Sequence, residues 1–176
     1  MGPVRARLLV ALACVSLVLP ACGGGSTSTT RGRASTTADS RVAWSAQTQQ
    51  LCTEKRAAIA RLGSVHITYA GIARVGLPRV KLLLERYLNR LLGVLRTFQL
   101  RQARVEPPPS LRTATSTARR IDAASQRATM QLKQRVAAAS TPSALSSAFN
   151  DWSATLRGLS ARGERLAAQL NLPACR

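Results

Sequence analysis

Apolar positions recur most regularly between Pro78 and Val105. Val80, Leu84, Tyr87, Leu91, Leu95 and Phe98 follow one another at steps of three and four, and Leu83, Leu88 and Val94 widen the stripe. Arg86, Arg90, Arg101 and Arg104 fall on the opposite side, so the spacing predicts an amphipathic helix over 78–105. Pro107-Pro108-Pro109 must end it, because consecutive prolines remove donors and exclude helical geometry from the residue before them. Ser110 is then the expected cap of a helix reaching about Ala139, with Leu111, Ala118, Ile121, Ala128 and Leu132 inward. Thr141-Pro142 supplies a cap followed by a first-turn proline. Beyond it Leu145, Phe149, Trp152, Leu156, Leu159, Gly163, Leu166 and Leu170 alternate steps of four and three, the seam of a helix lying nearly parallel to its neighbours.

An earlier helix is expected over Arg41–Leu62, with Trp44, Thr48, Leu51, Ala58, Ile59 and Leu62 on one face. Gly63–Leu77 is less regular. Val65, Ile67 and Tyr69 alternate with polar residues as in a strand, but a lone strand has no partner here. Glycines at 63, 71 and 76 favour a broken helix or an ordered loop. Four long helices with short breaks predict an all-α, up-down-up-down four-helix bundle, and every apolar stripe is read as core.

The amino end follows another rule. Arg5 and Arg7 precede an unbroken apolar run, Leu8–Leu19, about 12 residues long against roughly 20 for a spanning helix. A basic start, a short apolar segment and small residues behind it make an export signal over 1–21. Leu19-Pro20-Ala21-Cys22 resembles the lipobox of bacterial lipoproteins, although Pro20 stands where that motif usually has a small or β-branched residue. The resemblance implies that Cys22 is lipidated and becomes the first residue of the exported chain. Residues 22–40 are rich in Gly, Ser and Thr, offer little to bury, and are expected to be a flexible linker. The folded domain is placed at 41–176.

Charge sharpens the picture. The chain has 26 basic and 7 acidic side chains, a net +19; without Arg5 and Arg7 it is 24 against 7, or +17. So one-sided a field favours acidic partners. Of the four cysteines, Cys14 leaves with the signal and Cys22 carries lipid. Cys52 and Cys175 remain, an even pair in an exported protein, so a disulfide is expected. In the predicted bundle the start of the first long helix and the end of the last lie at one end, which brings the pair together. The Leu51-Cys52 pair in the first helix, the Pro107–Pro109 break and the terminal Leu172-Pro173-Ala174-Cys175 extend the resemblance to small bacterial lipoproteins of unassigned function along the whole chain.

Chemistry-bearing patterns are sparse. His66 is the only histidine, and no Cys, Asp or Glu cluster accompanies it as a metal site would require. The six acidic residues after the linker are scattered, and neither a phosphate loop nor a dinucleotide fingerprint occurs. No catalytic residue, metal site or cofactor is expected. Few aromatics and export from the cell disfavour nucleic acid as a partner. The expected function is that of a non-enzymatic, membrane-anchored envelope protein on the extracytoplasmic side of the cell membrane. Its contact with anionic lipid, wall polymer or an acidic protein would run through Arg86, Arg90, Arg101 and Arg104. The alternative is a carrier or sensor that holds an apolar ligand or lipid in a cavity lined by Tyr69, Leu84, Leu88, Phe98, Phe149 and Trp152.

Overall fold

The structure, a computed structural model, describes residues 32–176, with side chains from residue 38 onward. The export signal, the Leu19–Cys22 motif and the first part of the linker lie outside the described residues. The protein is an all-helical bundle, with no strand among the described residues. Its helices are α1 (Gly32–Ala60), α2 (Tyr69–Val75), α3 (Leu77–Ala103), α4 (Arg112–Ala138) and α5 (Pro142–Gln169). Single 3-10 turns occupy Pro109–Leu111 and Pro173–Cys175.

Most boundaries have local causes that the sequence announces. Thr141 caps α5, its hydroxyl accepting from the Ala144 amide at 3.2 Å with Pro142 in the first turn. Ser110 does not cap α4. The triple proline leaves through the 3-10 turn, where the Pro108 carbonyl accepts from the Leu111 amide, and Leu111 takes the cap position without a side-chain bond. The ambiguous 63–77 segment divides in two. Gly63 turns the chain at φ +79°, and residues through Thr68 run without helix. There Val65 and Ile67 pack on the core while Ser64, His66 and Thr68 stay exposed, so the period of two reflects extended chain laid over one end of the bundle. Thr68 then caps the short α2 by accepting from the Gly71 amide at 3.1 Å. Gly76, at φ +93°, joins α2 to α3 in a conformation other residues rarely adopt. At the amino end α1 begins at Gly32, inside the segment whose composition suggests a linker. Nothing in 32–40 breaks a helix already nucleated downstream, and extension costs little once the nucleus exists.

Two packed clusters mark the ends of the bundle. The larger contains Ile72, Leu84, Leu88, Leu132, Val136, Leu145 and Phe149, with α2 and the extended segment over it. The smaller joins Trp44, Leu111, Ala167 and Leu172. Neighbouring helices meet with opposite directions: Lys81 near the start of α3 reaches the end of α4, and Arg119 near the start of α4 reaches the end of α3. Trp152 of α5 donates to Thr129 of α4 at 3.3 Å. Leu83 departs from its expected inward place and is 54% exposed.

Packing is close from α1 to α3, α3 to α4 and α4 to α5, but no comparable packing joins α1 directly to α5. The C-terminal 3-10 turn makes the connection, lying against both helices. Cys52 and Cys175 are bonded, with sulfurs 2.08 Å and α-carbons 5.1 Å apart, across a separation of 123 residues. Arg56 adds to the tie by donating to the main-chain oxygens of Ala174 and Arg176.

Closing so long a loop stabilises the fold by about 4–5 kcal/mol on chain-entropy grounds. Replacing both Cys52 and Cys175 with serine is expected to lower the thermal midpoint while room-temperature helical circular dichroism is retained. An unchanged midpoint would show that the bridge constrains nothing the packing does not already hold.

Candidate functional site

Where α1 and α5 stand apart, the bundle interior opens into a cleft of about 640 Å³. It lies between the two packed clusters, and its size is within the roughly 300–1,000 Å³ of small-molecule sites. α3 and α4 supply the floor through Tyr87, Leu91, Leu95, Ala118 and Ile121. One wall is α5, with Trp152, Leu156, Leu159, Gly163, Leu166 and Leu170; the other is α1, with Thr48, Cys52, Lys55 and Ile59. The disulfide and the C-terminal turn close one end.

The four-three seam of α5 therefore has two fates. Leu145 and Phe149 are packed core, as expected of the whole seam, whereas Trp152 to Leu170 are half-buried and form wall. Gly163 belongs to this second half, and a Cβ placed on it would meet nothing within 4 Å. A helix-interior glycine costs about 0.5–1 kcal/mol relative to alanine, so here an unfavourable residue coincides with extra room in the cleft.

The lining also carries polar and charged side chains, among them Lys55, Arg56, Asp122, Ser125, Thr129, Ser160 and Glu164, and these have partners within the chain. The Lys55 ammonium of α1 meets the Asp122 carboxylate of α4 across the cleft, each side chain 27% exposed. The Thr129 hydroxyl is spent, donating to the Ser125 carbonyl at 2.8 Å and accepting from Trp152. Phe149 stacks beside Trp152 at 5.3 Å between ring centres, tilted by 50°, which fixes the indole at the upper edge of the wall. Lys55 keeps ammonium donors beyond the one given to Asp122, and the greater part of the exposed lining is apolar.

This placement corrects the predicted cavity. Of Tyr69, Leu84, Leu88, Phe98, Phe149 and Trp152, only Trp152 lines the cleft. Leu84, Leu88 and Phe149 fill the larger cluster, Phe98 lies half-buried under the Arg101 guanidinium at 5.2 Å, and Tyr69 is 60% exposed. Of the α1 stripe that does reach the cleft, Thr48 and Ile59 belong to the expected apolar face, whereas Cys52 and Lys55 between them are passed over by hydrophobic periodicity.

The four arginines singled out on α3 do not act as one set. Arg86, Arg90 and Arg104 are exposed, whereas Arg101, its side chain still 42% exposed, pairs with Glu54 of α1. Arg101, with help from Gln50, holds the Glu54 carboxyl below its ordinary value of 4.5. Exposed leucines flank the remaining arginines: Leu82, Leu83 and Leu100. His66 is exposed on the extended segment, and among the described residues no three His, Cys, Asp or Glu side chains gather as a metal site would need. Among the described residues no helix is long and apolar enough to cross a membrane.

No family model matches the chain, and neither a curated protein nor a solved structure matches it.

Proposed function

We propose that this is a non-enzymatic, lipid-anchored envelope protein whose domain, an up-down-up-down bundle of α1, α3, α4 and α5, carries a small apolar ligand in the α1–α5 cleft. The cleft itself is the observation that carries this reading: an apolar space of about 640 Å³ in the middle of a domain whose two ends are packed. Its half-exposed apolar walls meet water when nothing covers them, and a ligand that covers them gains about 25 cal/mol for each Å² of apolar surface removed from water and stabilises the fold by binding it. Gly163 and the lack of direct α1–α5 packing both keep the space open. The partners on this reading are a hydrophobe in the cleft and the membrane through Cys22.

The cleft is tested with a neutral apolar dye, N-phenyl-1-naphthylamine. It should bind one per chain, quench Trp152 by energy transfer and raise the thermal midpoint. Gly163→Ala should keep binding and Gly163→Trp should abolish it, with the helical spectrum of both intact. Equal binding by the Gly163→Trp protein would mean that the dye sits elsewhere and would remove the carrier reading.

The anchor rests on the resemblance of Leu19–Cys22 to a lipobox, since a thioether-linked lipid is the hydrophobic attachment left once the signal is cut. Cys22→Ala is expected to shift the protein from the membrane fraction to the medium. A variant that is still cleaved and still held by membranes in high salt would contradict it.

A second role, docking on an anionic bilayer, draws on one face of α3. Arg86, Arg90 and Arg104 alternate there with the exposed Leu82, Leu83 and Leu100, the mixture of cations and apolar groups that settles at a lipid interface. Vesicles containing anionic lipid should bind the chain, neutral ones should not, and salt should weaken the binding steeply. Changing Arg86, Arg90 and Arg104 to glutamine should cut binding far more than changing Arg61, Arg74 and Arg127. Equal losses would reveal attraction to net charge without a docking face.

A further inference from the structure

Most of the basic side chains that reach into the packing between elements are matched to an oxygen. Lys55, Arg101 and Arg135 meet carboxylates, while Arg56, Lys81 and Arg119 meet main-chain oxygens at chain or helix ends. Arg120, Arg162 and Arg165 are different. They surround one depression between α4 and α5, of about 470 Å³, floored by Ile121, Ala124, Leu159 and Leu166. Arg162 and Arg165 stand one turn apart on α5, and Arg120 faces them from α4. None of the three has a hydrogen bond or ion pair among the described residues.

No acidic side chain lines this depression. Glu164, the acidic residue nearest in sequence, lies on the other side of α5, at the cleft, with Ser160. Three exposed arginines border one depression, and among the described residues no carboxylate pairs with any of them. A carboxylate brings one charge and two oxygens; a phosphate monoester brings up to two charges and three terminal oxygens, which suits forked donors arriving from two helices. The floor adds a second requirement. Its side chains are half-buried and apolar, so they favour a phosphate attached to a hydrophobic group over the bare ion. We infer that the α4–α5 groove binds a phosphate monoester bearing an apolar group, with Arg120, Arg162 and Arg165 on the oxyanion and Ile121, Leu159 and Leu166 beneath its apolar part.

This site opens outward and is separate from the α1–α5 cleft, with Ile121, Leu159 and Leu166 forming the wall between them. It does not depend on the carrier reading or on the α3 face. The experiment is calorimetric titration of the whole chain carrying Cys22→Ala, with inorganic phosphate and with 1-naphthyl phosphate. The ester should bind about tenfold or more tightly than the ion, since each tenfold needs only a modest apolar contact. Changing Arg120, Arg162 and Arg165 together to glutamine should weaken the ester by at least about tenfold, the scale of losing charge-assisted hydrogen bonds. Changing Arg86, Arg90 and Arg104 should weaken it less than about twofold, as expected of distant surface charges in salt. Gly163→Trp should leave it unchanged, which separates this groove from the cleft even if the cleft proves empty. Phosphatidic-acid vesicles that displace the ester would place the natural phosphate in a bilayer, and failure to displace it would place the phosphate on a free molecule. Equal losses from the two arginine triples, or equal affinity for ester and ion, would overturn the assignment.

Discussion

The covalent link between Cys52 and Cys175 is the constraint on which the rest of the domain leans. α1 is packed along α3 but not against α5, so it has one helical neighbour where an interior helix would have two. Amphipathic burial on one side alone leaves a long helix free to pivot about that contact. The disulfide removes the freedom by fixing α1 to the last turn of the chain, which itself lies on α5. The Arg56 contacts to Ala174 and Arg176 and the burial of Leu172 seat that turn from both sides. The bridge therefore fixes the width of the cleft as well as the stability of the fold.

Arginine has a second structural use here. A helix leaves its last carbonyls without partners, and most helices satisfy them with glycine turns or water. In this chain the neighbouring helix contributes as well: Arg119 donates to the Val105 carbonyl just past α3 and joins the local amides on that of Gln102, and Lys81 donates to the carbonyls of Ala137 and Ala139 at the end of α4. These long cations lock antiparallel neighbours together where acidic partners are scarce. Part of the net charge that composition presents as surface is thus internal fastening, and the docking capacity of the exterior is smaller than +19 suggests.

Legibility varied with the kind of information each residue carries. The α3 stripe, the Thr141-Pro142 start and the proline break are local statements about one helix, and local physics settles them. The bond between Cys52 and Cys175 agrees with the pairing expected of them. The cleft was not legible, because a seam such as Trp152–Leu170 says that one side of a helix is apolar and nothing about how near the facing helix comes. The Arg101–Glu54 pair was not legible for a related reason: helical angle puts Arg101 beside the exposed arginines and says nothing of a carboxylate on another helix. Thr129, fully buried, was passed over because its hydroxyl is satisfied by Ser125 and Trp152, partners that become visible only in three dimensions.

The early start of α1 has a mechanical meaning. Gly32 to Trp44 is helical, and from residue 38 to residue 43 every side chain is exposed before Trp44 enters the core. At about 1.5 Å per residue this is a strut of roughly 18 Å, and unlike a glycine-serine rope it transmits orientation as well as distance. Removing or adding one residue within the strut would rotate the start of α1 by about 100° relative to the bundle while leaving the fold untouched.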